Sequence, residues 1–214
     1  MFSRKSDWTS EHRKQQNKDA FDVHFNQPKR NYLAKMGSKA CTRFHKFKVP
    51  EAPPDVKWKV RLEKNYHCIQ CPPHDLYAKH IDLAYKLLTD NGYQVEKPQG
   101  IDNTHVEYHA YIGDKANGCI QSHFESHQDN NGAVNYKVHT CIFYFENTFK
   151  QGGELYIQDG DEGKTIEKID PRIWNVVLLD GATYHYIQPV NGVGNRRCLV
   201  IQMKQSDSAE ESKL

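Results

Sequence analysis

At 214 residues, 37% of them hydrophobic and 26% charged, the chain is long enough for one domain with a real core plus a modest extension. No stretch approaches the roughly 20 consecutive apolar residues of a membrane helix, and the start, Met1-Phe-Ser-Arg-Lys-Ser-Asp-Trp8, lacks the apolar core of a secretory signal. An intracellular, cytoplasmic protein with no membrane partner is expected. The formal charge of +2 is unevenly spread: residues 1–50 carry twelve Lys/Arg against four Asp/Glu, whereas 51–204 carry sixteen against twenty.

Residues 1–50 show few apolar positions in any regular period and read as a basic, partly flexible extension. The charge would suit nucleic acid or another acidic partner, but no nucleic-acid motif accompanies it, and a solvated arm is the favoured reading. Glu51-Ala-Pro-Pro-Asp55 marks a domain boundary, since paired prolines favour extended chain. Cys68-Ile-Gln-Cys71 is the one close cysteine pair; zinc there would need further ligands such as Cys41, His67 or His74, and ordinary reduced thiols are favoured. A helix is predicted over 75–91, started by Asp75 after two prolines, buried through Tyr77, Ile81, Ala84 and Leu88, and stopped by Asn91-Gly92. Beyond residue 104 short β-rich runs follow one another, at 105–112, 120–127, 138–146, 154–158, 174–179, 184–189 and 196–204, separated by turn residues. Strands in that number after a helix imply a mainly β domain over 51–204, a sandwich or jelly roll flanked by helix, followed by an acidic tail at 205–214.

Twelve histidines make chance metal patterns common, so each His-x-acid pair is weighed by its element. There are four: His80-Ile-Asp82, His105-Val-Glu107, His123-Phe-Glu125 and His127-Gln-Asp129. Positions i and i+2 share a face in a strand but lie about 200° apart on a helix, which makes His80/Asp82 a poor chelate and leaves the other three open. Two ligands from one strand underfill a metal, and His185, after the apolar run Trp174–Leu179, is the natural third. Two imidazoles and one carboxylate on one octahedral face, with the rest open, is the arrangement of non-haem iron(II) oxygenases.

The surrounding blocks are His127-Gln-Asp129-Asn130, Thr140-Cys-Ile-Phe-Tyr144-Phe, Gly152-Gly-Glu-Leu-Tyr-Ile157, Val176-Val-Leu-Leu179, His185-Tyr-Ile-Gln-Pro-Val190 and Arg196-Arg-Cys-Leu-Val-Ile201. In order and spacing they resemble the catalytic domain of prolyl 4-hydroxylase-type 2-oxoglutarate oxygenases, and closely the oxygen-sensing prolyl hydroxylases among them. The resemblance spans about 105–204 and leaves 1–100 largely unmatched. It implies a double-stranded β-helix core, cupin-like or jelly-roll, over that span. It also implies Fe(II) held by His127, Asp129 and His185, with His123/Glu125 as the displaced rival.

The same resemblance implies 2-oxoglutarate as co-substrate, with ascorbate as an additional reductant. Arg196 matches the arginine that grips its far carboxylate in a planar, two-point fashion. Arg197 should point to the opposite face, and Leu199 stands where the pattern places a leucine three residues after the functional arginine. Tyr144 matches a tyrosine that bonds the same carboxylate, while Tyr111 and Phe124 resemble positions lining the pocket. The implied reaction is hydroxylation of a substrate, a prolyl residue of a protein or peptide first of all, with release of succinate and carbon dioxide. A nucleic-acid demethylase of the same superfamily would suit the basic arm. Those enzymes typically carry a second arginine six residues after the first, and Gln202 and Met203 stand there instead. From another class, a non-catalytic cupin-like module would have no need of the anion-binding arginine. Oligomeric state is not legible in the sequence.

Overall fold

The computed structural model describes residues 43–56, 66–113, 120–123, 127–128, 134–136, 138–159, 164–171, 175–181 and 183–206, with backbone alone at 66–68, 112–113, 120–123, 127–128 and 134–136. All of them fall in one compact unit, Ala40–Leu214. In chain order the elements are β1 (Phe44–Lys48), β2 (Tyr66–Gln70), a 3-10 turn at His74–Tyr77, α1 (Ala78–Asp90), β3 (Thr104–Gly113), β4 (Ile120–His123), β5 (His127–Gln128), β6 (Val134–Tyr136), β7 (Val138–Asn147), β8 (Leu155–Gln158), β9 (Thr165–Ile169), β10 (Asn175–Leu179), β11 (His185–Ile187) and β12 (Gly194–Lys204). They form a six-stranded sheet ordered β1-β10-β7-β12-β3-β2, a four-stranded sheet ordered β4-β11-β8-β9, and the pair β5-β6. Every pairing is antiparallel, and the architecture is a jelly roll.

The helix forms where the apolar spacing predicts it. Tyr77, Ile81, Ala84 and Leu88 are buried, and pack with Val106, Tyr108, Phe143, Val176, Leu199 and Ile201 on the outer face of the larger sheet. Asp75 makes no capping bond and the α-helix proper starts at Ala78, because the first turn tightens to 3-10. Asn91 closes the far end on the carbonyls of Leu87 and Leu88, and Gly92 follows at φ +73°. β7 is buried without interruption from Val138 to Tyr144, the signature of a central strand covered on both faces. Even positions of β3 (Val106, Tyr108, Ala110) meet the helix-side core, so odd positions, from His105 to Tyr111, face the other way, into the jelly roll.

Each β-rich run described corresponds to a strand, while β1, β2, β6 and β9 are additional. β1 carries only two phenylalanines in a charged context, yet pairs along its whole length with β10; Lys46 and Lys48 stay exposed, as suits an edge strand. The larger sheet takes its first strand from Phe44. The proline-rich stretch behind β1 is anchored rather than free: the Pro53 carbonyl accepts from His80 Nε2 (2.9 Å), and the Asp55 carboxylate takes Tyr108 Oη (3.0 Å) and Arg197 Nη1 (2.6 Å). No helix among the described residues is long and apolar enough to cross a membrane.

Leu88, wholly buried at the centre of the helix interface, offers a direct check on this core. Leu88→Ala should lower unfolding free energy by about 2–5 kcal/mol, read as a shift of the urea midpoint at constant slope.

Candidate active site

β12 sends Arg196 into the jelly roll, where its side chain is fully buried. Nε donates to the Gly153 carbonyl (2.9 Å), just ahead of β8, and Nη1 to Cys198 Sγ (3.6 Å). The Tyr111 and Tyr144 rings flank the guanidinium, with Cζ at 5.2 and 5.4 Å from their centroids. Among the described residues no carboxylate pairs with it, and Nη2 is buried without a hydrogen-bond partner. The Tyr144 hydroxyl is likewise buried and has no partner of good geometry among them. Burial holds that phenol well above its ordinary pKa, the nearby guanidinium pulling the other way; it stays protonated and is a donor. A buried cation with unmatched donors is costly unless an anion completes it. The donor set fits a ligand that ends in one carboxylate.

Backbone geometry shapes this pocket. Gly153 sits at φ +82°, and a Cβ there would lie 2.9 Å from Arg196 Cδ; at Gly152 (φ +86°) it would lie 1.9 Å from the Pro189 carbonyl oxygen. Both positions therefore require glycine. Pairing of β12 with β7 runs Arg197↔Glu146 and then Cys198↔Tyr144, skipping Phe145, which is a bulge on β7. A regular strand would turn Glu146 to the same side as Tyr144. With the extra residue Glu146 lies outside, where its Oε2 receives Arg197 Nη2 at 2.6 Å and Nε at 2.7 Å. Arg197 thus points away from Arg196 and into an outer cluster with Asp55 and Glu146.

The histidines separate by use. His185 is buried on β11, where Nδ1 lies 3.0 Å from the Thr183 carbonyl. A carbonyl can only accept, so Nδ1 carries the proton and the lone pair sits on Nε2, the tautomer a metal ligand needs. Along the backbone His185 is in register with Ile157 on β8 and His123 on β4. His127 lies on β5 opposite Tyr136; its side chain, Phe124, Glu125 and Asp129 fall outside the described residues. Among the described residues no three His, Cys, Asp or Glu side chains form a metal site.

His80 is engaged with Pro53 and Asp82 is exposed, as their helical spacing requires. His105 and Glu107 do share a face, but bond to each other: His105 Nε2 to Oε1 at 3.0 Å, and His109 Nε2 to Oε2 at 2.9 Å. His109 escapes a search for His-x-acid pairs because it follows its carboxylate; strand alternation from Glu107 would have found it. Cys71 is exposed and reduced, its Sγ 4.0 Å from His105 Nε2.

No family model matches the sequence, and no curated protein matches it either. Among solved structures, a prolyl-4-hydroxylase from Pseudomonas putida is 17% identical over 62% of this chain and 66% of its own, with a TM-score of 0.43. A prolyl 4-hydroxylase from Phytophthora capsici is 16% identical over 82% and 52%, at 0.44. This chain thus spans less than two thirds of the length of either. A prolyl hydroxylase from Trichoplax adhaerens, solved with a peptide fragment of the hypoxia inducible factor oxygen degradation domain, is 11% identical over 96% of this chain and 97% of its own, at 0.50. The fold is shared with that prolyl hydroxylase. Of the sandwich and the jelly roll that the strand pattern allowed, the jelly roll is the one found.

The His105–Glu107 contact has a pH signature. Burial alone would lower the imidazole pKa, but bonds to Cys71 and Glu107 outweigh it and raise the value from 6.5 to about 10. A raised folded-state pKa contributes stability that is complete below 6.5 and is lost as pH climbs towards 10. Thermal midpoints should therefore fall between pH 7 and 10, and His105→Gln should flatten that fall when the two titrations are compared.

Proposed function

We propose that this protein is an iron(II)- and 2-oxoglutarate-dependent oxygenase that hydroxylates a prolyl residue of a protein or peptide, with release of succinate and carbon dioxide. The observation that carries the reading is the buried Arg196 guanidinium, without a carboxylate among the described residues and with Nη2 and the Tyr144 hydroxyl both unmatched. Those two donors would receive the far carboxylate of 2-oxoglutarate, and the Tyr111 and Tyr144 rings would wall its chain. His127, Asp129 and His185 would hold the iron, His185 already in the required tautomer. Iron and co-substrate, when bound, supply the oxidising chemistry; the protein's work is to orient them and to keep water from the buried end. No side chain is required as a general acid or base. The peptide bound by the Trichoplax enzyme favours a peptide substrate here. The basic N-terminal arm favours a nucleic-acid substrate as second reading, against which Gln202 and Met203 lie buried where a second arginine would stand.

Purified protein with Fe(II), 2-oxoglutarate and ascorbate should release succinate, slowly by itself and faster with an accepted peptide, as followed by NMR. Absence of both turnover and metal-dependent 2-oxoglutarate binding would sink the proposal. Asp129→Ala and His127→Ala should each abolish turnover, whereas His123→Ala should retain it; the reverse result for the two histidines would move the metal to the displaced pair. Arg196→Ala should raise the 2-oxoglutarate requirement by at least about tenfold, in line with the loss of a charge-assisted bond, and Arg197→Ala should leave it unchanged.

A further inference from the structure

The guanidinium of Arg196 has three nitrogens, and the structure assigns them unequal tasks. Nε gives its one N–H to the Gly153 carbonyl and Nη1 one of its two to the Cys198 sulfur, while Nη2 has no partner among the described residues. Position 198 is two residues from Arg196 on the same strand and shares its inward face; its Cα partners are His109 on β3 and Tyr144 on β7. The thiol is buried. Burial raises its pKa, against the opposing pull of Arg196, so the sulfur is neutral and accepts from Nη1 without cancelling the guanidinium charge.

We propose that Cys198 is a positioning residue for the anion grip. It orients Arg196 so that Nη2 and the Tyr144 hydroxyl are the donors left for the ligand, and it does so with an acceptor that brings no charge. A carboxylate in its place would satisfy the same nitrogen and neutralise the cation that the ligand needs. Smaller side chains without an acceptor would leave Nη1 unmatched, free to rotate the guanidinium away from Tyr144. The ligand class follows from the geometry: one terminal carboxylate held by the guanidinium through Nη2 and by one phenol, with aromatic walls and no further cation among the side chains described around it. The identity of that ligand as 2-oxoglutarate rests on the oxygenase reading.

Calorimetric titration of 2-oxoglutarate, with manganese(II) replacing iron and oxygen excluded, separates the two ideas. Cys198→Ala should weaken binding by about tenfold, and in turnover assays the change should fall on KM for 2-oxoglutarate rather than on kcat. Cys198→Ser, which restores a neutral acceptor, should recover to within about threefold of wild type, and Cys198→Asp should remove binding while circular dichroism shows the fold retained. If alanine matches wild type, or if serine is as weak as alanine, Cys198 only fills space and the inference fails, whatever becomes of the aspartate variant. If wild type binds and Arg196→Ala does not, the oxygenase reading survives that failure. If wild type binds no 2-oxoglutarate at all, both fall.

Discussion

A guanidinium cannot be sealed inside a protein cheaply, and much of this jelly roll is arranged around one that is. The idealised cost of moving such an ion into a low-dielectric interior is on the order of 20 kcal/mol, and several kcal/mol remain after relaxation. Arg196 recovers part of that from one carbonyl, one sulfur and two aromatic faces. None of these is an anion. Among the described residues that leaves a deficit which a bound anion would relieve, and this is where the energetics of the fold meet the proposed function.

Several local features otherwise unrelated become parts of one arrangement. The paired glycines at 152 and 153 bring a carbonyl against the arginine where any side chain would collide. The bulge at Phe145 turns Glu146 outward, so the nearest acidic residue on β7 pairs with Arg197 on the outer surface and not with Arg196 within. Asp55 reinforces that separation by joining the outer cluster from the proline-rich segment. Two adjacent arginines, identical in chemistry, thus have opposite surroundings: one pairs with two carboxylates, the other with none among the described residues.

The interior face of β3 is polar in a way that its helix side is not. Along β3, Val106, Tyr108 and Ala110 join the apolar core beneath α1, while His105, Glu107 and His109 form a hydrogen-bonded chain on the opposite face. A strand that alternates so strictly can seal a core with one face and furnish a pocket with the other. His80 shows the same economy from the helix: its ring packs edge-on against Phe143 and Phe145, and its Nε2 proton secures Pro53.

What the sequence by itself determined is whatever depends on periodicity and on the identity of single residues. The helix through Leu88, the strands from Thr104 onward and the opposite facing of Arg196 and Arg197 all follow from spacings of 3.6 and 2, whereas the jelly roll is implied by the order of the motif blocks. The edge strands β1 and β9 escaped because a half-exposed strand of mixed charge carries too little apolar signal: in β9 only Ile169 is buried. Tertiary structure alone decided which polar atoms lack partners. Nothing in Arg196-Arg-Cys198 says that the sulfur will take Nη1, that Gly153 will arrive from another sheet, or that an extra residue in β7 will remove Glu146 from the interior. Those outcomes depend on strand register, a property of two chain segments at once, and no pattern within either segment contains it.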